Sequence, residues 1–153
     1  MVQIDNWENT VFFRVDAEED FMNPDGKLPV TENQDEADKV ANSMERVTQV
    51  AEETGVTSVY TRDIHEKEDD EIAEGAPDYD ETFPIHCERG EKGSEFIDAV
   101  VKEGYSSVSD HAKEFDFKDD YTAGQIREEL ECLEEDITIY KNRFNVFEGS
   151  GEL

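Results

Sequence analysis

The stretch TRDIH places Asp63 and His65 two residues apart. On an extended segment, side chains at i and i+2 point to one face, so a carboxylate and an imidazole can converge on one ion. His86, about twenty residues on in FPIHCERGEKGSEF, could close the set from across a loop. Two imidazoles and a carboxylate with positions left open suit Zn²⁺, Fe²⁺ or Mn²⁺ and permit catalysis. D-x-H tripeptides and loop histidines are also ordinary features of proteins, and spacing alone leaves that alternative open. Cys87, beside His86, has the chemistry of a nucleophile or of a small buried apolar residue. Cys132 sits between Leu130 and Leu133 on a helix flank and reads as packing. Gly90 and Gly93 could form a turn or an anion nest. His111 lies in a polar stretch and is assigned no role.

These residues need a frame. Val11 to Val15 is a tight apolar and β-branched run, read as a buried strand ending at Asp16. After a Gly- and Pro-containing loop, Thr31 and Gln34 fit a capping box. Ala37, Val40, Ala41, Met44, Val47 and Ala51 then recur at helical spacing, and Gly55 stands where a C-terminal cap belongs. TSVYTRDI reads as a second strand. Strand, helix and strand make a βαβ unit and imply a parallel sheet. Residues 66–81 are polar and acidic, a long loop of the kind that is usually functional or disordered. SEFIDAVVKEG reads as a short helix stopped by Gly104, and residues 105–121 as irregular. Thr122 and Gln125 offer a second capping box ahead of Ile126, Leu130, Leu133 and Ile137. ITIYKNRFNVF reads as a third strand leading into Lys141. The fold class expected is α/β, a three-layer αβα arrangement around a mostly parallel, Rossmann-like sheet. Ligands in such sheets bind beyond the carboxyl ends of the strands, where Asp16, Asp63, His65 and Lys141 all fall.

The chain has 153 residues, enough for one ordinary domain. Lys and Arg number 14 against 42 Asp and Glu, a formal charge of −28. Such a surface disfavours nucleic acid and anionic membranes as partners. It also suits a high-salt, halophilic cytoplasm, where ions screen the self-repulsion. An acidic mimic of nucleic acid is the less favoured reading. Two cysteines are too few for a disulfide scaffold and fit a reducing compartment. The N-terminal MVQIDNWENT has neither a basic nor an apolar signal region, and no run is long enough to span a bilayer. A cytoplasmic protein is expected.

Four segments, in order, resemble the motifs of the nicotinamidase and isochorismatase superfamily of cysteine hydrolases, the nicotinamidase branch most closely. VDAEEDFMNPDGKLPV is similar to V-D-x-Q-x-D-F followed by G-x-L-P-V. TRDIH is similar to T-x-D-W-H. PDYDETFPIHCERGEKGSEF is similar to a segment with an aromatic-Pro-x-His-Cys, a glycine turn and an acidic-Phe pair. YKNRFNVF is similar to K-x-x-F/Y-x-x-F. The resemblance implies Asp16 as general base and Lys141 as its catalytic lysine, Asp63, His65 and His86 as ligands of one divalent metal (Zn, Fe or Mn), and Phe21 and Phe83 as rings flanking the substrate. It makes Cys87 a structural neighbour of a ligand. It implies hydrolysis of nicotinamide to nicotinate and ammonia in NAD salvage, a small-molecule amide substrate, and a possible homo-oligomer.

The departures bear on activity. Glu18 stands where the family usually has Gln, and Ile64 where it has Trp. A further histidine of some members is absent, leaving Ile72 and acidic residues such as Glu71, so the ligand set is expected to be three plus water. The expected domain is 1–153, an isochorismatase-type unit ending before its last strands, with residues 105–136 as an insertion. The family nucleophile follows the lysine motif by tens of residues, and neither Cys87 nor Cys132 matches it. Two alternatives stand beside the amidase: an isochorismatase-like hydrolase, disfavoured by the metal-type triad, and a non-catalytic metal- or partner-binding module.

Overall fold

The computed structural model describes residues 10–116 and 135–143. Its elements are β1 (Val11–Val15), α1 (Glu19–Met22), α2 (Gln34–Thr54), β2 (Thr57–Asp63), β3 (Ala112–Phe115) and β4 (Asp136–Lys141), with short 3₁₀ turns at Lys92–Ser94, Asp98–Val100 and Val108–Asp110. The four strands form one sheet in the order β1-β2-β4-β3, and every pair is parallel. This is the βαβ unit and α/β sheet expected. The register sets Val15 opposite Thr61 and Asp63 opposite Lys141. The ends of β1, β2 and β4 therefore meet along one edge, which is what brings distant polar residues together.

Helix α2 begins and ends for local reasons. The Asn33 side chain accepts the Glu36 N–H at 3.1 Å, and Glu36 Oε2 in turn accepts the Glu32 N–H at 3.0 Å. The cap is thus Asn33 rather than Thr31, whose hydroxyl is drawn inward to donate to the Met22 carbonyl at 3.3 Å. Gly55 closes the helix with φ 67, as its C-terminal position requires. The inward face is narrower than the spacing implied: Ala37, Thr48 and Ala51 are buried, while Val40 and Val47 are exposed. Thr48 was not anticipated in the core; its hydroxyl bonds the carbonyls of Met44 and Ala99 at 3.0 and 2.9 Å.

Three expectations are corrected. β1 is not a buried strand: Val11, Phe13 and Val15 stand on an exposed face, Phe13 61% exposed, and β1 is also an edge of the sheet among the described residues. Its other face buries Arg14, whose guanidinium lies 5.5 Å over the Tyr60 ring and bonds Ser58 Oγ at 3.4 Å. SEFIDAVVKEG makes 3₁₀ turns instead of a helix. Its backbone is committed elsewhere, Ile97 N–H to the Ala17 carbonyl at 3.0 Å and the Glu95 carbonyl to Glu19 N–H at 2.9 Å. Residues 105–121 are not wholly irregular, since β3 lies there and pairs with β4 from Ala112↔Asp136 to Phe115↔Ile139. The helix expected from Thr122, Cys132 and the Phe144 and Phe147 positions lie outside the described residues.

The core under the sheet is Ala17, Tyr60, Val100, Val108 and Ala112, with Met44, Phe96, Ile97 and Val101 packed around it. It fixes the loop after β1 against residues 96–101, and so sets where the first carboxylates point. No helix among the described residues is long and apolar enough to cross a membrane.

Candidate active site

The sequence-predicted residues sit at strand ends or on loops pinned to them, except Phe21, which lies on α1. Asp16 follows β1 with φ 50, a left-handed backbone that is strained for a residue with a Cβ. Thr61 on β2 holds it there: its hydroxyl accepts the Asp16 N–H at 3.2 Å and donates to Asp16 Oδ1 at 2.8 Å. Asp63 and Lys141 are the last residues of β2 and β4. His65 lies two residues beyond the strand, zipped to the 87–89 loop by His65 N–H to the Cys87 carbonyl and Arg89 N–H to the His65 carbonyl, both 3.0 Å. The long loop folds back through an Ile72–Phe83 bridge, with Phe83 N–H on the Glu71 carbonyl at 2.8 Å. That bridge carries Phe83 toward His86, their ring centroids 6.2 Å apart.

The charges form a chain. Lys141 Nζ is 3.1 Å from Asp16 Oδ2 and 3.4 Å from Asp63 Oδ1. Asp63 Oδ2 is 3.3 Å from His65 Nε2 and 3.2 Å from His86 Nε2. Burial pulls the Lys141 ammonium down, but the carboxylates of Asp63 and Asp16 outweigh it and hold it above the ordinary lysine value. Burial pushes Asp63 up, yet the two histidines and Lys141 hold its carboxyl well below the carboxylate range. Both partners favour the charged pair.

The donor set fits a metal ion on structural grounds. Ligand atoms of Asp63, His65 and His86 lie within 4.8 Å of one another, and all three residues are buried. His86 Nδ1 is 2.8 Å from the Pro84 carbonyl, which can only accept, so Nδ1 carries a proton. A neutral His86 then presents its Nε2 lone pair to a carboxylate. Two acceptors at that distance repel unless a cation, a proton or a metal, lies between them. His65 has a carboxylate behind it as well, with Asp69 Oδ2 3.4 Å from Nδ1, an arrangement that orients ligating imidazoles.

Asp16, Phe21, Asp63, Phe83, His86 and Lys141 line one cavity of about 510 Å³, with His65 fully buried behind it. Phe21 meets the His86 ring edge-on at 5.3 Å. A larger groove of about 640 Å³ runs between α2 and residues 98–103, but its charged lining is all acidic, and it offers no acid–base pair. Cys87 is fully buried, and burial together with Glu18, Asp63 and Asp20 pushes its thiol far above the ordinary value. A buried thiol whose thiolate is disfavoured is a poor nucleophile.

Sequence reasoning missed the contacts that two acids make. Glu18, wholly buried, accepts the Asp63 N–H at 2.7 Å. Burial and the Asp16 and Asp63 charges push its carboxyl well above the carboxylate range. Asp20 Oδ2 accepts the Cys87 N–H at 2.7 Å. Both occupy positions of the first motif, but bonds to distant backbone N–H groups leave no mark in a sequence.

No protein-family model and no curated protein matches the chain. Solved structures do. The nicotinamidase/pyrazinamidase of Bacillus subtilis matches with a TM-score of 0.55 at 19% identity, over 91% of this chain and 59% of that one. The pyrazinamidase/nicotinamidase of Streptococcus mutans matches with 0.55 at 20%, over 91% and 60%. The N-carbamoylsarcosine amidase of Thermoplasma acidophilum matches with 0.52 at 22%, over 91% and 55%. The chain has the isochorismatase-like α/β fold of these amidases and spans 55–60% of their length.

Proposed function

We propose that this chain, which has the isochorismatase-like α/β fold, forms the base, lysine and metal-binding side of an amide hydrolase of the nicotinamidase kind. The observation that carries the reading is Lys141 Nζ held between Asp16 and Asp63 at 3.1 and 3.4 Å, with the imidazoles of His65 and His86 on the far side of Asp63. One short line of groups thus joins an acid–base pair to a metal-type donor set inside a cavity.

Asp16 is the proton acceptor. Its strained backbone and Thr61 fix one carboxylate oxygen and leave the other on Lys141. The proton it takes from an attacking group would be returned to the leaving nitrogen, which must depart as ammonia. Lys141 supplies the positive charge that keeps a neighbouring nucleophile and a developing oxyanion stable. Asp63, His65 and His86 would hold one divalent ion. Such an ion, when bound, supplies a Lewis-acid contact for a ring nitrogen or carbonyl oxygen of the substrate. Phe21 and Phe83 would wall a flat aromatic amide such as nicotinamide, with the cavity large enough for it. Apolar side chains, Val15, Met22, Leu28 and Met44 among them, make up much of the rest of the lining.

The state of Cys87 favours a second reading, in which these residues bind metal and ligand without turnover. Both readings require the substrate ring to bind. Titration of nicotinamide into the zinc-loaded chain, followed by calorimetry and ligand-observed NMR, tests that directly. Saturable binding is expected, weakened in Phe83→Ala. Ammonia release in the same samples separates hydrolysis from binding alone. Nicotinamide binding that is non-saturable, or unchanged in Phe83→Ala, would remove the basis of both.

A further inference from the structure

We infer that Asp20 is the positioning residue of this metal centre: through the Cys87 backbone it aims both histidines at Asp63. The inference rests on the metal centre proposed above and extends it to a residue that touches no ligand position. Cys87 has φ 42, a left-handed backbone that only glycine adopts without strain. Something must hold it, and the contacts identify what does. Asp20, itself buried, accepts the Cys87 N–H with Oδ2 at 2.7 Å and the Lys27 N–H with Oδ1 at 3.1 Å. Hydrogen bonds to an ionised acceptor are the strong ones.

The same Cys87 peptide unit ties both imidazoles together. Its N–H belongs to Asp20, its carbonyl accepts the His65 N–H at 3.0 Å, and the residue before it is His86. A shift of Cys87 therefore moves one ligand directly and the other through a hydrogen bond. The two glycines of the loops exist in this arrangement for room. A Cβ on Gly93 would run into the Asp20 carboxyl, and a Cβ on Gly26 into the Asp20 backbone. Gly93 thus lets the carboxylate reach Cys87 at all. Gly90, with φ 83 and open space around it, supplies the turn.

Cobalt(II) is the probe, because its visible absorption reports ligand geometry as well as occupancy. Parent, Asp20→Asn, Asp20→Ala, and each of these combined with Cys87→Gly would be titrated in molar potassium chloride. Thermal melts of the metal-free proteins would run alongside. Loss of a residue that orients ligands is expected to weaken binding by about 10- to 100-fold and to alter the spectrum at saturation. Asp20→Asn, which keeps one acceptor, is expected to lose less than Asp20→Ala. Cys87→Gly is expected to restore affinity and spectrum in part, since glycine takes the left-handed backbone unaided. A general loss of stability would not be repaired that way. If Asp20→Ala fails to fold, the Asp20→Asn pair carries the comparison. Parent-like affinity and spectrum in the Asp20 variants, or no recovery on adding Cys87→Gly, would overturn the inference. A parent that binds no cobalt would overturn the metal centre itself, a different and recognisable outcome.

Discussion

At the scale of single residues, the site is a problem of placing three carboxylates close together, Glu18 and Asp63 buried and Asp16 half-buried. Lys141 and the two imidazoles answer for Asp16 and Asp63; for Glu18, burial and those two charges favour the protonated form. Its raised value has a definite sign in stability. An acid whose folded pKa lies above its unfolded one costs stability as pH rises from the ordinary Glu value, about 4.3, through the folded value. Glu18→Gln keeps an acceptor for the Asp63 N–H and removes the ionisable group. The variant is expected to match the parent near pH 4 and to exceed it by a margin that widens toward neutral pH, read from urea unfolding in molar salt. A parent as stable as the variant at every pH would contradict this account of Glu18. Glutamine is also the residue the related motif carries at this position. The residues of the proposed triad and of the Asp16–Lys141 pair could be picked out because histidines are few here and the motifs recur in order. Glu18 and Asp20 occupy motif positions too, but they act on backbone N–H groups 45 and 67 residues away, which no local pattern reports.

At the scale of elements, the long periodic pieces were readable and the short ones were not. Twenty-one residues of helix, Gln34–Thr54, leave a repeated signal, and β2 leaves a short β-branched and aromatic one, Thr57, Val59, Tyr60 and Thr61. β3 has four residues, two of them charged, and owes its strand state to pairing with β4 rather than to composition. The β-branched Ile97, Val100 and Val101 gave an apparent helical stripe, yet the Ile97 N–H serves the loop after β1 at the Ala17 carbonyl, and Val100 and Val101 close 3₁₀ turns on Ile97 and Asp98. The start of α2 offers a clean test of the cap. Asn33→Ala is expected to cost about 1 kcal/mol, whereas Gln34→Ala should change stability by less than about 0.5 kcal/mol. Denaturant midpoints of the two variants decide it: a larger loss for Gln34→Ala would return the cap to Thr31 and Gln34.

At the scale of the whole molecule, the charge of −28 sets the conditions under which any of this can be measured. Self-repulsion is screened over a Debye length of about 10 Å at 0.1 M salt and about 3 Å at 1 M. The melting temperature is therefore expected to climb with potassium chloride from low to molar concentration, and a flat or falling trend would contradict the electrostatic account. The open face of β1, with Val11, Phe13 and Val15, adds an apolar patch that salt exposes to association, so melts belong at low protein concentration. The charge excess was fully legible in composition; which faces it leaves apolar was not, since β1 reads the same whether central or at an edge. The central claim is that one divalent ion sits on Asp63, His65 and His86. Equilibrium dialysis against zinc in molar potassium chloride, with metal counted per chain, tests it most directly. The account predicts one equivalent in the parent and none retained in the double variant Asp63→Ala with His65→Ala; equal zinc in the two proteins would contradict it.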